Sequence, residues 1–110
     1  MTNAAEAGPD LPRALGYLRK HLLMTESELS EAEGRLAHFA QVRGFRLQQI
    51  YVEELETWPA AFEALIEAAG TDGLSAVLLP SMLHFAVLGP PAEIKQYFEQ
   101  LTGTRVLVAL

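Results

Sequence analysis

The chain has 110 residues, a length that fits one compact domain, and carries 14 acidic against 8 basic side chains for a formal charge of −6. Half of it is hydrophobic and it holds no cysteine, so a core can form, while a disulfide-stapled fold, a cysteine-ligated metal and cysteine catalysis are excluded. The acidic balance opposes autonomous grip on nucleic acid, which needs clustered Lys and Arg; the lysines are Lys20 and Lys95, and no basic run exists.

Residues 1–12 contain Asn3, Gly8, Pro9 and Asp10 without apolar periodicity and read as a disordered lead-in. They also lack the basic and apolar regions of a signal peptide, so the expected location is cytoplasmic. Arg13–Lys20 alternates as a strand, with Leu15, Tyr17 and Arg19 on one face and Ala14, Gly16 and Leu18 on the other. Thr25-x-x-Glu28 and Ser30-x-x-Glu33 both match a capping box ahead of the helical stripe Leu29, Ala32, Leu36, Phe39 and Ala40, which Gly44 closes. Arg46–Val52 is a second strand.

Thr57 is placed to cap a second helix whose first turn tolerates Pro59, with Phe62, Leu65, Ile66 and Ala69 as its buried stripe and Gly70 as its stop. Burying each large member of that stripe contributes roughly 1.5–3 kcal/mol, enough to dock a short helix on a sheet. Leu74–Leu79 is nearly all apolar, as a central parallel strand covered on both faces should be. An irregular apolar loop, Pro80–Pro91, leads to a third helix with Ile94, Tyr97, Phe98 and Leu101 on one side, ended by Gly103. Thr104–Leu110 is a fourth strand. The alternation predicts an α/β domain over residues 13–110: a mainly parallel sheet of about four strands between helical layers. The longest apolar runs are too short to span a membrane, and no membrane partner is expected.

In open sheets of this kind ligands sit beyond the carboxyl ends of the strands, here Arg19–Leu23, Glu53–Thr57 and Pro80–Gly89. No glycine-rich phosphate loop follows the first strand and no cofactor is expected. Arg19 stands where a guanidinium takes a phosphate or carboxylate; its structural alternative is a pair with Glu53 or Glu54. His21, His84 and Glu53 could meet at a divalent metal, although their local spacing does not support one and no metal site is expected. Glu53-Glu54-x-Glu56 reads as an exposed acidic loop, and His38, mid-helix beside Phe39, as structural or solvated. In the apolar loop, Leu83, Phe85, Val87 and Leu88 are either buried beneath it or form a contact patch for a partner.

The colinear series Ala14-Leu15-Gly16-Tyr17-Leu18-Arg19, Arg43-Gly44-Phe45, Ile50-Tyr51-Val52-Glu53 and Pro59-Ala60-Ala61-Phe62-Glu63-Ala64-Leu65 resembles the N-terminal catalytic domain of serine recombinases, the resolvase/invertase family. The resemblance implies a resolvase-like fold and a DNA-cleaving site with a serine two residues after the Tyr-x-Arg arginine, clamped by further arginines. On that pattern Tyr17 and Arg19 are kept, His21 holds the nucleophile position and Glu53 conservatively replaces an acid. The family's next arginine falls on Trp58 or Pro59, and its Asp-Arg-Leu-x-Arg turn falls on Leu83-His84-Phe85-Ala86-Val87. No arginine occurs between Arg46 and Arg105, so a shift of register does not restore the clamp.

Tyr17, Arg19, His21, Glu53 and His84 thus form a degenerate site, and recombinase chemistry (DNA strand cleavage and rejoining) is not expected. The leading expectation is a non-catalytic interaction or regulatory module. Its contact surface would be Leu83, Phe85, Val87 and Leu88, with a protein partner or self-association. A bacterial DNA-recombination accessory acting with a complete recombinase is the alternative, with Arg19, Lys20, Arg13 and Arg46 touching DNA weakly or through the partner. A small-molecule or metal-dependent enzyme reusing Arg19, His21, Glu53 and His84 is a third class. The chain is expected to lack a C-terminal DNA-binding domain.

Overall fold

A computed structural model describes residues 11–21, 23–54, 59–70 and 74–109, except the Val87 side chain. Residues 1–10 of the expected lead-in and the Thr57 cap lie outside the described residues. The elements are β1 (Arg13–Arg19), α1 (Glu26–Arg43), β2 (Arg46–Glu53), α2 (Ala60–Ala69), β3 (Leu74–Leu79), α3 (Pro91–Thr102) and β4 (Arg105–Val108). The strands form one all-parallel sheet in the order β2-β1-β3-β4. The expected α/β architecture is therefore the observed one.

Of the two candidate capping boxes, the Thr25 one starts α1: its hydroxyl accepts from the Glu28 N–H at 3.0 Å and the Glu28 carboxylate accepts from the Thr25 N–H at 3.0 Å. Gly44 ends α1 at φ 80°, a left-handed conformation that suits glycine. Ala32, Leu36 and Ala40 then pack with Ala14, Leu18, Ala76 and Leu78 on one face of the sheet. The opposite face carries Leu15, Tyr17, Val77, Leu79 and Val106 against Phe62, Leu65 and Ala69 of α2 and Phe98 of α3. One helix on one face and two on the other follow from right-handed crossovers that run one way from β1 to β2 and the other way thereafter.

Three local readings are corrected. The Pro80–Pro91 stretch is not irregular: Met82–Leu88 winds into a 3-10 helix begun by Ser81, whose hydroxyl accepts from the Leu83 N–H. Tyr97 and Leu101, expected inside with Phe98, are 53% and 54% exposed, because α3 turns only a narrow stripe inward. The fourth strand begins at Arg105, since the Thr104 N–H donates to the Thr102 hydroxyl, and it spans Arg105–Val108, the expected end at Leu110 lying outside the described residues.

Two details of β1 matter for packing. A Cβ at Gly16 would come within 2.9 Å of Leu36 Cδ1 and 3.1 Å of Ile50 Cγ1, so α1 lies on the sheet at a distance that only glycine permits there. The pairing of β1 with β2 steps from Ala14–Leu47 to Leu15–Gln49, which leaves Gln48 as an extra residue in the outer strand. Gly16→Val is expected to destabilise the domain by about 1–3 kcal/mol through overpacking. A lower urea midpoint at unchanged slope is the expected readout; an unchanged midpoint would show that α1 yields freely at this contact.

Candidate functional site

At the carboxyl end of the sheet Glu53 closes β2 and points inward, 1% exposed. Its Oε1 accepts from the Tyr17 hydroxyl at 2.7 Å and from the Phe62 N–H at 2.9 Å, and its Oε2 accepts from the Ala61 N–H at 3.1 Å. The helix α2 has no side-chain cap of its own at Pro59. Glu53 supplies one from seven residues upstream, where orphan amides and the helix dipole both favour a carboxylate. The Glu53 carbonyl also accepts the Lys20 N–H at 2.9 Å, so this residue joins β1, β2 and α2. The reading of Glu53 as part of an exposed acidic loop is therefore corrected, and its alternative pairing with Arg19 is not formed. The flanking Glu56 lies outside the described residues.

Tyr17 is equally internal. Burial, with the Glu53 hydrogen bond and charge, pushes its phenol far above the usual tyrosine value, leaving a neutral donor. Its ring lies 5.9 Å from that of Phe62 and 5.7 Å from that of Phe85, centroid to centroid, and Phe62 in turn meets Phe98. Tyr17 and Glu53 therefore stand behind the site, as its support.

Strand alternation sends the Arg19 N–H to the side opposite that of Lys20, toward β3. The β1–β3 pairing ends at Gly16, so no strand receives this amide; His84 Nδ1 accepts it at 2.8 Å. Phe85, wholly buried, anchors the same 3-10 helix in the core. Since Nδ1 is an acceptor, the neutral His84 ring carries its proton on Nε2. Burial lowers the His84 pKa, and the charges of Arg35 and His21 lower it further.

The result is a cavity of about 390 Å³ at the β1/β3 switch point, lined by Arg19, His21, His84, Met24, Leu83 and Ala86, with Ser81. Of the five proposed site residues it unites Arg19, His21 and His84. Among the described residues no three His, Asp or Glu side chains are grouped to hold a metal ion. With Nε2 protonated, the latched His84 also offers a metal no lone pair. The Arg19 side chain forms no ion pair among the described residues, whereas Lys20 pairs with Glu26 at 3.6 Å. Arg13 and Arg46 line a separate depression at the other end of the strands, about 20 Å from Arg19 at strand rise, so the four expected DNA contacts fall at opposite ends of the sheet. A larger cavity of about 600 Å³ lies between α1 and Ala109, just past the end of β4, and includes the exposed His38.

The expected contact residues divide. Phe85 belongs to the core and is corrected as a partner contact, Leu88 is half-buried against that core, and Leu83 is 76% exposed. The Val87 side chain lies outside the described residues. The sequence misses the core role of Glu53 and offers Thr57 as the cap; the structure puts the N-cap at Pro59, a residue without a capping side chain.

No protein-family model matches this chain, and no curated protein matches it in sequence. Solved structures do match in fold. The C-terminal catalytic domain of ISC1926 TnpA, an IS607-like serine recombinase, is similar with a TM-score of 0.74 and 17% identity, over 89% of this chain and 67% of that one. The N-terminal catalytic domain of TP901-1 integrase is similar with a TM-score of 0.68 and 13% identity, over 88% of this chain and 76% of that one. The fold is that of serine recombinase catalytic domains, as the sequence resemblance implied. No helix among the described residues is long and apolar enough to cross a membrane.

Glu53→Gln keeps the shape but turns an amide NH2 toward donors, and is expected to cost about 1–3 kcal/mol in urea unfolding. Tyr17→Phe should cost about 0.5–1.5 kcal/mol, with clear coupling between the two sites in a double-mutant cycle; additive effects would show that the Tyr17–Glu53 hydrogen bond adds no stability of its own. His84 makes a separate prediction. Its folded pKa is lowered from 6.5, so the stability of the neutral latch is complete above that value and is lost as pH falls through the folded one. The Arg19 amide should lose hydrogen-exchange protection on acidification while the Lys20 amide keeps it. Equal loss at both amides would refute a latch specific to His84.

Proposed function

We propose that this domain keeps the serine recombinase catalytic-domain fold as a non-catalytic interaction or regulatory module. The observation that carries the reading is the content of the strand-end cavity. Where the family places a serine nucleophile among arginines, the lining here has His21 and one guanidinium, that of Arg19. Phosphoryl transfer relies on positioned charge, and one missing donor already costs about 10²–10³ in rate. A histidine can be phosphorylated in principle, but His21 is exposed and lacks the cationic cluster that would neutralise a pentavalent phosphate.

The accessory reading, DNA contact through a complete recombinase, draws support from the Arg19 side chain, which has no ion pair among the described residues. It is weakened by the −6 charge and by the separation of Arg13 and Arg46 from Arg19 and Lys20. Fluorescence anisotropy of a labelled duplex at about 50 and about 200 mM salt tests the choice, because phosphate contacts produce a steep salt slope. The expected result is flat anisotropy, with no covalent protein–DNA adduct on denaturing gels. Salt-sensitive binding would move the accessory reading ahead, and an adduct would overturn the non-catalytic one.

A further inference from the structure

Resting on the interaction-module reading, we infer that the strand-end cavity receives a partner-protein segment carrying one carboxylate beside an aliphatic side chain, with Arg19 as the seat of the carboxylate. Arg19 is the one arginine or lysine among the lining residues, and among the described residues no Asp or Glu lines the cavity with it. Its guanidinium forms no ion pair among the described residues, in a protein that has acidic side chains to spare. A planar fork of donors left open beside a half-buried strand end matches a carboxylate.

The second half of the match is apolar. Met24, Leu83 and Ala86 line the same cavity, and Leu83 is 76% exposed, with Leu23 beside Met24 at 83%. A leucine presented to water in the same cavity as an arginine without an ion pair among the described residues suits an occupant that brings a carboxylate and a hydrocarbon together. His84 adds a polar contact of fixed type: its Nδ1 is committed to the Arg19 N–H, so its Nε2 is a neutral donor. The volume of about 390 Å³ admits side chains rather than a folded surface, which points to an extended segment or chain end.

A nucleic-acid strand is the poorer complement. It brings a charge at about every 3.4 Å along its length, whereas the cavity lining offers Arg19, with Arg35 near enough for its charge to act on His84 and Lys20 paired with Glu26. A single carboxylate needs only Arg19, and the −6 charge of the domain repels it far less than a polyanion.

The test is a titration of the isotope-labelled chain, followed by amide chemical shifts, with three probes: acetyl-Leu-Glu-amide, acetyl-Leu-Gln-amide and a short DNA duplex. The Glu peptide is expected to shift the amides of Arg19, His21, His84 and Ala86 with a dissociation constant in the range of about 1 mM, as suits one ion pair with one apolar contact. The Gln peptide should bind at least tenfold more weakly. Arg19→Gln should abolish the shifts, Arg19→Lys should retain part of the affinity, and Leu83→Ser should weaken binding severalfold, each in a spectrum that also reports the fold. No shift of these amides with the Glu peptide at about ten times that concentration, or equal binding of both peptides, would overturn the carboxylate assignment. The module reading would survive that result. Shifts with the duplex that collapse with salt, together with silence from the peptides, would overturn both.

Discussion

A single buried carboxylate organises the functional end of this domain. Glu53 ends one strand, accepts the hydroxyl of Tyr17 from the neighbouring strand, and terminates the amide array of α2. Each of those groups would be costly to bury alone: a carboxylate without donors, a tyrosine hydroxyl inside an aromatic cluster, helix amides without acceptors. Brought together they satisfy one another, and three segments far apart in the chain acquire one fixed geometry. The aromatic cluster of Tyr17, Phe62, Phe85 and Phe98 packs around this knot, so the 3-10 helix that carries His84 is positioned by the same core.

This division of labour separates support from presentation. Tyr17 and Arg19 lie two residues apart on the same strand face, yet one is sealed in the core and the other opens to the strand-end cavity. The fold, that of serine recombinase catalytic domains, leaves a crevice at its switch point, lined here by Arg19, His21 and His84. The latch between His84 and the Arg19 amide fills a gap that the short β1–β3 ladder leaves behind. An unpaired strand amide has to find an acceptor, and here the acceptor also holds the rim of the cavity.

Much of the architecture is local and was readable as such. Thr25, Gly44, Gly70 and Gly103 punctuate the helices where their chemistry places them, and the alternation of apolar strands with helical stripes implies a covered parallel sheet. The misreadings concern residues whose role is set by distant neighbours. Glu53 sits among glutamates that look solvated, and only the fold brings Tyr17 to it from 36 residues upstream. Phe85 and Leu83 lie in one apolar run but point to core and solvent, because a 3-10 helix turns successive residues apart. Tyr97 and Leu101 share the helical periodicity of Phe98 but fall just outside the narrow contact that α3 makes.

The extra residue Gln48 has a consequence for solubility. The strand β2 is the outer member of the sheet and eight residues long, enough to template another chain along its free hydrogen-bonding edge. A bulge near its start breaks the regular spacing of donors and acceptors and increases the local twist. Its exposed side chains there, Gln48 and Gln49 after Arg46, are polar or charged. An incoming strand would find the register interrupted within its first few residues, so the edge is a poor seed for sheet-to-sheet aggregation at high concentration.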